Sequence, residues 1–313
     1  MKIVFLDSAT VGSDISLAPI SSLGDAMFYD YTAPSEVFER IVDADVVIVN
    51  KVVIGREQID KAPNLKLICV AATGMNNIDL VYAAQKGIPV KNVKGYSTEC
   101  VVQVTFMHIL NLVGHGDYFD HRVKSGAYSS GKSFTDLTNP FHELSGKKLG
   151  IIGLGTIGRR VAEIASAFGM KVSYFSTSGT KREERYPALS LEDILRESDI
   201  VSIHAPLNDK TLNLICYDQI KIMKPSAFII NMGRGGIVNE THLARALDEN
   251  LIAGAAIDVF CQEPLLADSP LTAIKESSKI IFSPHIGWAS IEARKRLVDM
   301  IAENIRSIGD GGK

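Results

Sequence analysis

Runs of valine and isoleucine that stay apolar through consecutive residues, without alternating with polar ones, are the feature that most narrows what this chain can become. In the first third they are Lys2 to Leu6, Asp45 to Val49, Leu67 to Val70 and Pro89 to Asn92. Later come Leu149 to Ile152, Lys171 to Tyr174, Ile200 to His204, Ala227 to Asn231, Ala253 to Asp258 and Ile280 to Phe282. Each is followed by a polar or helical stretch. A strand with no polar face must be covered on both sides, which is what a parallel sheet flanked by helices does. The pattern therefore predicts an α/β chain, and its 313 residues exceed one ordinary core, so two doubly wound parallel sheets are expected.

Composition narrows the partners. The net charge is -3, and no run of lysine and arginine appears, so neither a nucleic-acid footprint nor a polybasic membrane patch is present. Cys69, Cys100, Cys216 and Cys261 lie far apart with no C-x-x-C pair, which disfavours a disulfide framework and a zinc site and fits a reducing, cytoplasmic compartment. The N-terminal MKIVFLD is too short in apolar residues for a signal-peptide core and reads as a first strand. No apolar run approaches the roughly 20 residues a bilayer span requires. The partner expected is a small molecule, with no metal, nucleic acid or membrane.

A long helix is predicted from Ser97 to Val113, with Ser97 as N-cap, Glu99 in the first turn and Val101, Val102, Thr105, Phe106, Ile109, Leu112 and Val113 as apolar surface. It reads as a connector between domains. From Gly116 to Lys147 the periodicity lapses into an irregular link, and a new strand-helix succession starts at Lys148. A helix from Ile291 to Ile308 closes the chain with no strand after it.

The strongest local signal is Gly153-Leu-Gly155-Thr-Ile-Gly158, directly after one strand and opening a helix. Gly153 permits a tight turn, Gly155 lets backbone approach a pyrophosphate, and Gly158 lets helix and strand pack closely. Thr156 and Ile157 would touch the diphosphate at the helix start, where N-H donors are free. A dinucleotide-binding unit commonly carries an acid at the end of its second strand for the adenosine ribose. Here the strand ends Tyr174-Phe175-Ser176, and Ser176, Thr177, Ser178, Lys181 and Arg182 take that place. Without the acid, the repulsion that excludes a 2'-phosphate is gone. NADP is permitted and NAD is not excluded.

Six motifs in order make the whole chain resemble the D-isomer-specific 2-hydroxyacid dehydrogenases. They are Ala72-Thr-Gly74-Met-Asn-Asn-Ile-Asp79, the glycine loop, His204-Ala-Pro206-Leu, Asn231-Met-Gly233-Arg234-Gly-Gly, Asp258-Val-Phe-Cys-Gln-Glu263-Pro264 and Ser283-Pro-His285-Ile-Gly-Trp-Ala. The stretches Asn92 to Glu99 and His285 to Ser290 look most like the glycerate dehydrogenase, or hydroxypyruvate reductase, branch. The resemblance assigns Arg234, Glu263 and His285 as catalytic. A guanidinium offers a fixed fork of donors for a carboxylate and a carbonyl oxygen. An imidazole can hold and deliver a proton near neutral pH, and a carboxylate partner orients it.

The resemblance also implies that Thr73, Gly74 and Met75, with Arg234 and His285, bind substrate through backbone N-H groups and side chains. Ala205, Pro206 and Thr211 would line the adenine side, Met232 and Gly233 the path toward nicotinamide, and Asp258 the carboxamide, with Arg234 and His285 beside the cofactor. It implies a Rossmann cofactor domain at 100–284 inserted in a flavodoxin-like substrate domain at 1–99 and 285–313, with a cleft between them and a homodimer. The activity implied is NAD(P)H-linked reduction of a short 2-oxo acid such as hydroxypyruvate or glyoxylate, or the reverse oxidation of a 2-hydroxy acid. A cofactor-sensing corepressor on the same fold is the alternative. Two departures stand out: Ser176 replaces the ribose acid, and Val101-Val102-Gln103-Val104 lacks the histidine the family commonly places in this helix.

Overall fold

The computed structural model of the protein describes residues 1–180 and 185–309. It divides into two compact units, Met1–Ser97 with Trp288–Lys313, and Thr98–Gly287. Both are parallel α/β layers, as the apolar runs predict.

The first unit holds strands β1 (Lys2–Phe5), β2 (Asp25–Phe28), β3 (Val46–Val49), β4 (Leu67–Val70) and β5 (Val90–Asn92). Their order is β2-β1-β3-β4-β5, every pairing parallel. β3 and β4 are buried at every residue, which is why they read as unbroken apolar runs. β2 is absent from the sequence expectation. It is an edge strand whose residues alternate between exposed and half-buried, so it carries no continuous apolar run to detect. The helix Ile291–Gly309 belongs to this unit, burying Ala293, Leu297, Val298, Ile301, Ala302 and Ile305 at helical spacing and contacting β4.

The second unit holds β6 (Lys148–Ile152), β7 (Lys171–Phe175), β8 (Ile200–Ile203), β9 (Phe228–Asn231), β10 (Gly254–Ile257) and β11 (Ile280–Phe282). The order is β11-β10-β9-β8-β6-β7, again all parallel. The chain steps outward from β6 to β7, then crosses back to β8 on the other side, so the connections reverse direction between β6 and β8. Loops leaving the carboxyl ends of neighbouring strands diverge at such a point and leave a crevice for a ligand.

The helix Thr98–Gly114, expected as a connector, packs within this unit against β9, β10 and the helix Thr156–Ala167. The link expected to be irregular contains a further helix, Gly116–Lys124. None of its residues is buried, so it has no apolar stripe from which sequence could announce it.

Candidate active site

Because all six strands of the second unit are parallel, their carboxyl ends share one edge, and the loops leaving that edge carry nearly every singled-out residue. At the end of β6, Gly153 has φ +93°, a conformation that L side chains rarely adopt, and a Cβ there would press on Ala205 at 3.0 Å. The glycine loop is thus drawn against the loop that follows β8. A Cβ on Gly158 would fall on the Gly153 carbonyl oxygen, so helix and strand can approach this closely only with glycine. The twelve-residue helix Thr156–Ala167 starts from Gly155 with no side-chain cap, and Gly155 and Thr156 are exposed. Its first peptide N-H groups, at Thr156, Ile157 and Gly158, thus have no side-chain cap, and nothing lies within 4 Å of a Cβ built on Gly155. Uncapped donors beside open space are what a pyrophosphate requires.

At the end of β7 the hydroxyl of Ser176 donates to the Thr180 carbonyl at 3.1 Å and lies 3.3 Å from the Ser178 hydroxyl. Thr177 is half-buried beside them. Lys181 and Arg182 lie outside the described residues. Past β8, Ala205 is buried and Pro206 exposed. Thr211 is wholly buried, its hydroxyl donating to the Pro206 carbonyl at 2.6 Å and accepting from the Asn208 N-H at 2.8 Å, so what it supplies is the shape of this loop. His204 bonds Ser202 through Nε2 at 2.8 Å, and burial pushes its imidazole down to about 3, so it holds no proton near neutral pH.

Past β9, Asn231 clamps the next turn with both side-chain atoms: Nδ2 donates to the Arg234 carbonyl at 3.0 Å, and Oδ1 accepts from the Gly233 N-H at 3.1 Å. Met232 and Gly233 are buried while Arg234 is exposed. One guanidinium nitrogen of Arg234 donates to the Gly233 carbonyl at 2.8 Å, and among the described residues no carboxylate pairs with it. Its other donors remain for an anion. The next residue, Gly235, lies so close to the Phe260 carbonyl that a Cβ would overlap it, which joins this turn to the one after β10.

In that β10 turn Glu263 accepts from the Phe260 N-H at 3.1 Å through Oε1 and from His285 Nδ1 at 2.7 Å through Oε2. His285 follows β11 with φ 53°, and its side chain keeps 27% of its surface against 32% for Glu263. With Nδ1 occupied, Nε2 is left as the nitrogen without a protein partner among the described residues. An exposed guanidinium, and an imidazole fixed by a carboxylate, thus sit on the ends of three adjacent strands. Asp258 is buried just past β10, and its carboxylate accepts the N-H groups of Ile286 at 2.9 Å and Gly287 at 3.0 Å.

In the first unit, Thr73, Gly74 and Met75 follow β4. The Thr73 hydroxyl donates to the Val93 carbonyl at 3.0 Å and its own carbonyl accepts from Asn92 Nδ2 at 2.6 Å, which fixes the turn that presents the 73–75 peptide groups. Sequence reasoning assigns no role to Asn231, His108 or Ser283. Asn231 does leave a usable signal, a polar residue closing an otherwise apolar strand.

A doubly wound sheet with an uncapped glycine turn at its first strand end defines the second unit as a dinucleotide-binding domain. The model of the D-isomer specific 2-hydroxyacid dehydrogenase NAD binding domain matches residues 106–287. A hydroxypyruvate reductase of Blautia hydrogenotrophica is 35% identical over 99% of this chain and 98% of its own length. Among solved structures, a D-lactate dehydrogenase from Aquifex aeolicus complexed with NAD and lactic acid is 28% identical with a TM-score of 0.83, covering 99% of this chain and 96% of that one. An acyclic imino acid reductase in complex with NADPH and D-Arg has a TM-score of 0.86 at 28% identity, over 99% and 97% of the two chains. The chain belongs to the D-isomer-specific 2-hydroxyacid dehydrogenase family, and it is an oxidoreductase that works with a nicotinamide cofactor.

Proposed function

We propose that the protein reduces a short 2-oxo acid, hydroxypyruvate before glyoxylate, to the D-2-hydroxy acid, and that the His285–Glu263 pair beside Arg234 is its catalytic apparatus. The single observation that carries this reading is the 2.7 Å contact from His285 Nδ1 to Glu263, which leaves Nε2 as the ring nitrogen available to exchange a proton with substrate. Preference for hydroxypyruvate rests on the similarity to the Blautia reductase.

The nicotinamide, when bound, supplies hydride to the carbonyl carbon of the substrate. Arg234 holds the substrate carboxylate and polarises the carbonyl oxygen, with the backbone N-H groups of Thr73, Gly74 and Met75 also serving the carboxylate. His285 delivers the Nε2 proton to that oxygen, and Glu263 stabilises the charged ring before transfer and fixes its orientation. In the oxidative direction Nε2 takes the proton back. The helix start at Thr156, Ile157 and Gly158 would hold the diphosphate, with Gly153 and Gly155 giving close approach. Ala205, Pro206 and the loop shaped by Thr211 would lie along adenine, Met232 and Gly233 along the path to nicotinamide, and Asp258 near its carboxamide. Ser176, Thr177 and Ser178 would meet the ribose and admit NADPH as well as NADH, since none of these three side chains is a carboxylate that would repel a 2'-phosphate.

By this reading the discontinuous unit is the substrate domain and the unit Thr98–Gly287 the cofactor domain. A cytoplasmic location is supported by four cysteines that form no disulfide among the described residues, of which Cys69 and Cys100 are buried. Among the described residues no helix is long and apolar enough to cross a membrane. A homodimer is supported by exposed Phe134, Leu137 and Phe141, and by an apolar surface groove lined by Val102, Phe106, Met107, Leu110, Ile164 and Phe168. Light scattering on the purified protein measures it.

The deciding experiment is an absorbance assay with NADH and NADPH in parallel against hydroxypyruvate, glyoxylate and pyruvate, together with His285→Gln. That variant should lose at least about a hundredfold in turnover with cofactor affinity little changed. An active His285→Gln enzyme would sink the assignment.

A further inference from the structure

Behind the His285 turn runs a buried polar chain, His108–Ser283–Asp258, whose first two members have no part in any of the binding or proton-transfer roles. His108 sits on the inner face of the apolar helix Thr98–Gly114 and is 1% exposed. Its Nε2 lies 2.8 Å from the hydroxyl of Ser283, and that hydroxyl donates to Asp258 Oδ1 at 2.5 Å. A carboxylate only accepts, so the single hydrogen of Ser283 is committed to Asp258 and its oxygen must accept from His108. That assigns the hydrogen of the His108 ring to Nε2. Nδ1, buried and without a partner among the described residues, carries the lone pair. Burial holds the imidazole below its ordinary pKa, consistent with this neutral form.

The chain ends on the turn that carries His285. Asp258 grips that turn three times, through its carboxylate on the N-H groups of Ile286 and Gly287 and through its carbonyl on the His285 N-H at 2.8 Å. The grip matters because His285 has φ 53°, a conformation a non-glycine residue keeps only when its surroundings impose it. For both carboxylate oxygens to face the turn, the Asp258 side chain must hold one rotamer, and the Ser283 hydroxyl secures Oδ1 from the other side. His108 in turn fixes which way that hydroxyl points.

We propose that His108 and Ser283 are positioning residues that act through Asp258 to hold the His285 ring in the orientation for proton transfer. The proposal rests on the reading of His285 as proton donor. A wholly apolar replacement shows why a packing role does not suffice. Leucine at position 108 would fill the same apolar helix face and remove the orphaned Nδ1, so the fold should be no weaker for it, while the hydroxyl of Ser283 would be freed to turn.

The test compares full-length His108→Leu and Ser283→Ala with the conservative His108→Gln and Ser283→Thr, and with His285→Gln as control. Of the conservative pair, His108→Gln keeps an N-H donor in the helix and Ser283→Thr keeps a hydroxyl after β11. In hydroxypyruvate reduction, His108→Leu and Ser283→Ala should lower kcat by roughly 5- to 30-fold with KM within about twofold, while His108→Gln and Ser283→Thr restore most of it. The melting temperature of His108→Leu should equal or exceed that of the parent protein. In the protein without cofactor, the rate at which diethyl pyrocarbonate modifies His285, followed by peptide mass spectrometry, should change by roughly threefold or more in the two disrupting variants only. Parent-like kcat and parent-like modification rates in both disrupting variants overturn the proposal, as does equal impairment in the conservative pair. If His285→Gln proves active, the proton-donor reading fails on its own, and the modification rates still decide whether the chain positions the ring.

Discussion

Replacing Glu263 with glutamine changes the charge behind the His285 ring while leaving its size nearly alone, so it probes what the carboxylate contributes. In the parent protein the two carboxylate oxygens divide the work: Oε2 accepts from His285 Nδ1 at 2.7 Å and Oε1 from the Phe260 N-H at 3.1 Å. Glutamine has one acceptor oxygen, so one of these two donors must face an NH2 group and is lost. Two unit charges about 4 Å apart interact by roughly 4 kcal/mol at the effective dielectric of about 20 found near protein surfaces. Each side chain keeps about a third of its surface, 27% for His285 and 32% for Glu263, so solvent screens the pair. Discounting for that exposure leaves about 1–2 kcal/mol of stabilisation for the charged ring.

Since about 1.4 kcal/mol is tenfold in rate, Glu263→Gln should lower kcat for 2-oxo acid reduction by roughly 5- to 30-fold. The substrate KM should move little, because in the proposed mechanism Glu263 serves the ring and carboxylate binding falls to other groups. The assay is steady-state NADH or NADPH oxidation at saturating cofactor, with the melting temperature measured beside it. A kcat within about twofold of the parent, in a variant with unchanged melting temperature, would refute the reasoning. It would mean that the close contact to Nδ1 sets no energy that the reaction uses.

Three further outcomes follow from particular atoms. Ser176→Asp should cut kcat/KM for NADPH by about tenfold or more while sparing NADH, because a carboxylate at the end of β7 repels a 2'-phosphate; an unchanged ratio would place the ribose elsewhere. Gly158→Ala should lower both the melting temperature, at about 1–3 kcal/mol, and NADH affinity by fluorescence titration, since the added methyl falls on the Gly153 carbonyl. His204 should make the protein acid-sensitive. Burial depresses its folded-state pKa to about 3, below the unfolded value of about 6.5, so the unfolded chain takes the proton first. Its contribution is present above about pH 6.5 and lost as pH falls toward 3, reaching a loss of about 2 kcal/mol at pH 5 in urea unfolding, a slope that His204→Gln should flatten.

What can be seen in the sequence follows from which constraints are residue-specific. The central strands are visible because β3, β4 and β8 are buried throughout and cannot tolerate a polar face. The edge strand β2 and the fully surface helix Gly116–Lys124 face no such demand, and neither is visible. The glycine loop is visible because Gly153 and Gly158 occupy positions where any Cβ meets backbone. Arg234, Glu263 and His285 are different: they lie on three separate strand ends, and nothing local ties them together, so only the resemblance to a family unites them. His108 is hidden altogether, since a histidine within an apolar helix face carries no mark of the hydroxyl it will meet 175 residues away.

The polar residues just at or past the ends of the apolar strands explain how a loop-built site can be held firmly. Asn231 ends β9, Asp258 follows β10 and Ser283 follows β11, all at most 3% exposed and on three neighbouring strands. The ladder continues through them, with the Asp258 N-H on the Asn231 carbonyl at 3.1 Å and the Ser283 N-H on the Ile257 carbonyl at 3.0 Å. Each side chain then turns forward to bind the loop beyond: Asn231 the turn of Arg234, and Asp258, backed by Ser283, the turn of His285. The first unit repeats the device after β1, where buried Asp7 accepts the N-H groups of Asn50, Lys51 and Val52. Loops are ordinarily the mobile part of such a fold, and a buried side chain that ties the loop's own peptide groups to the sheet gives them the rigidity of the strands. Substitution at these inner positions should therefore change how well the exposed Arg234 and the half-buried His285 are aimed and, on the proposed mechanism, act on turnover before binding.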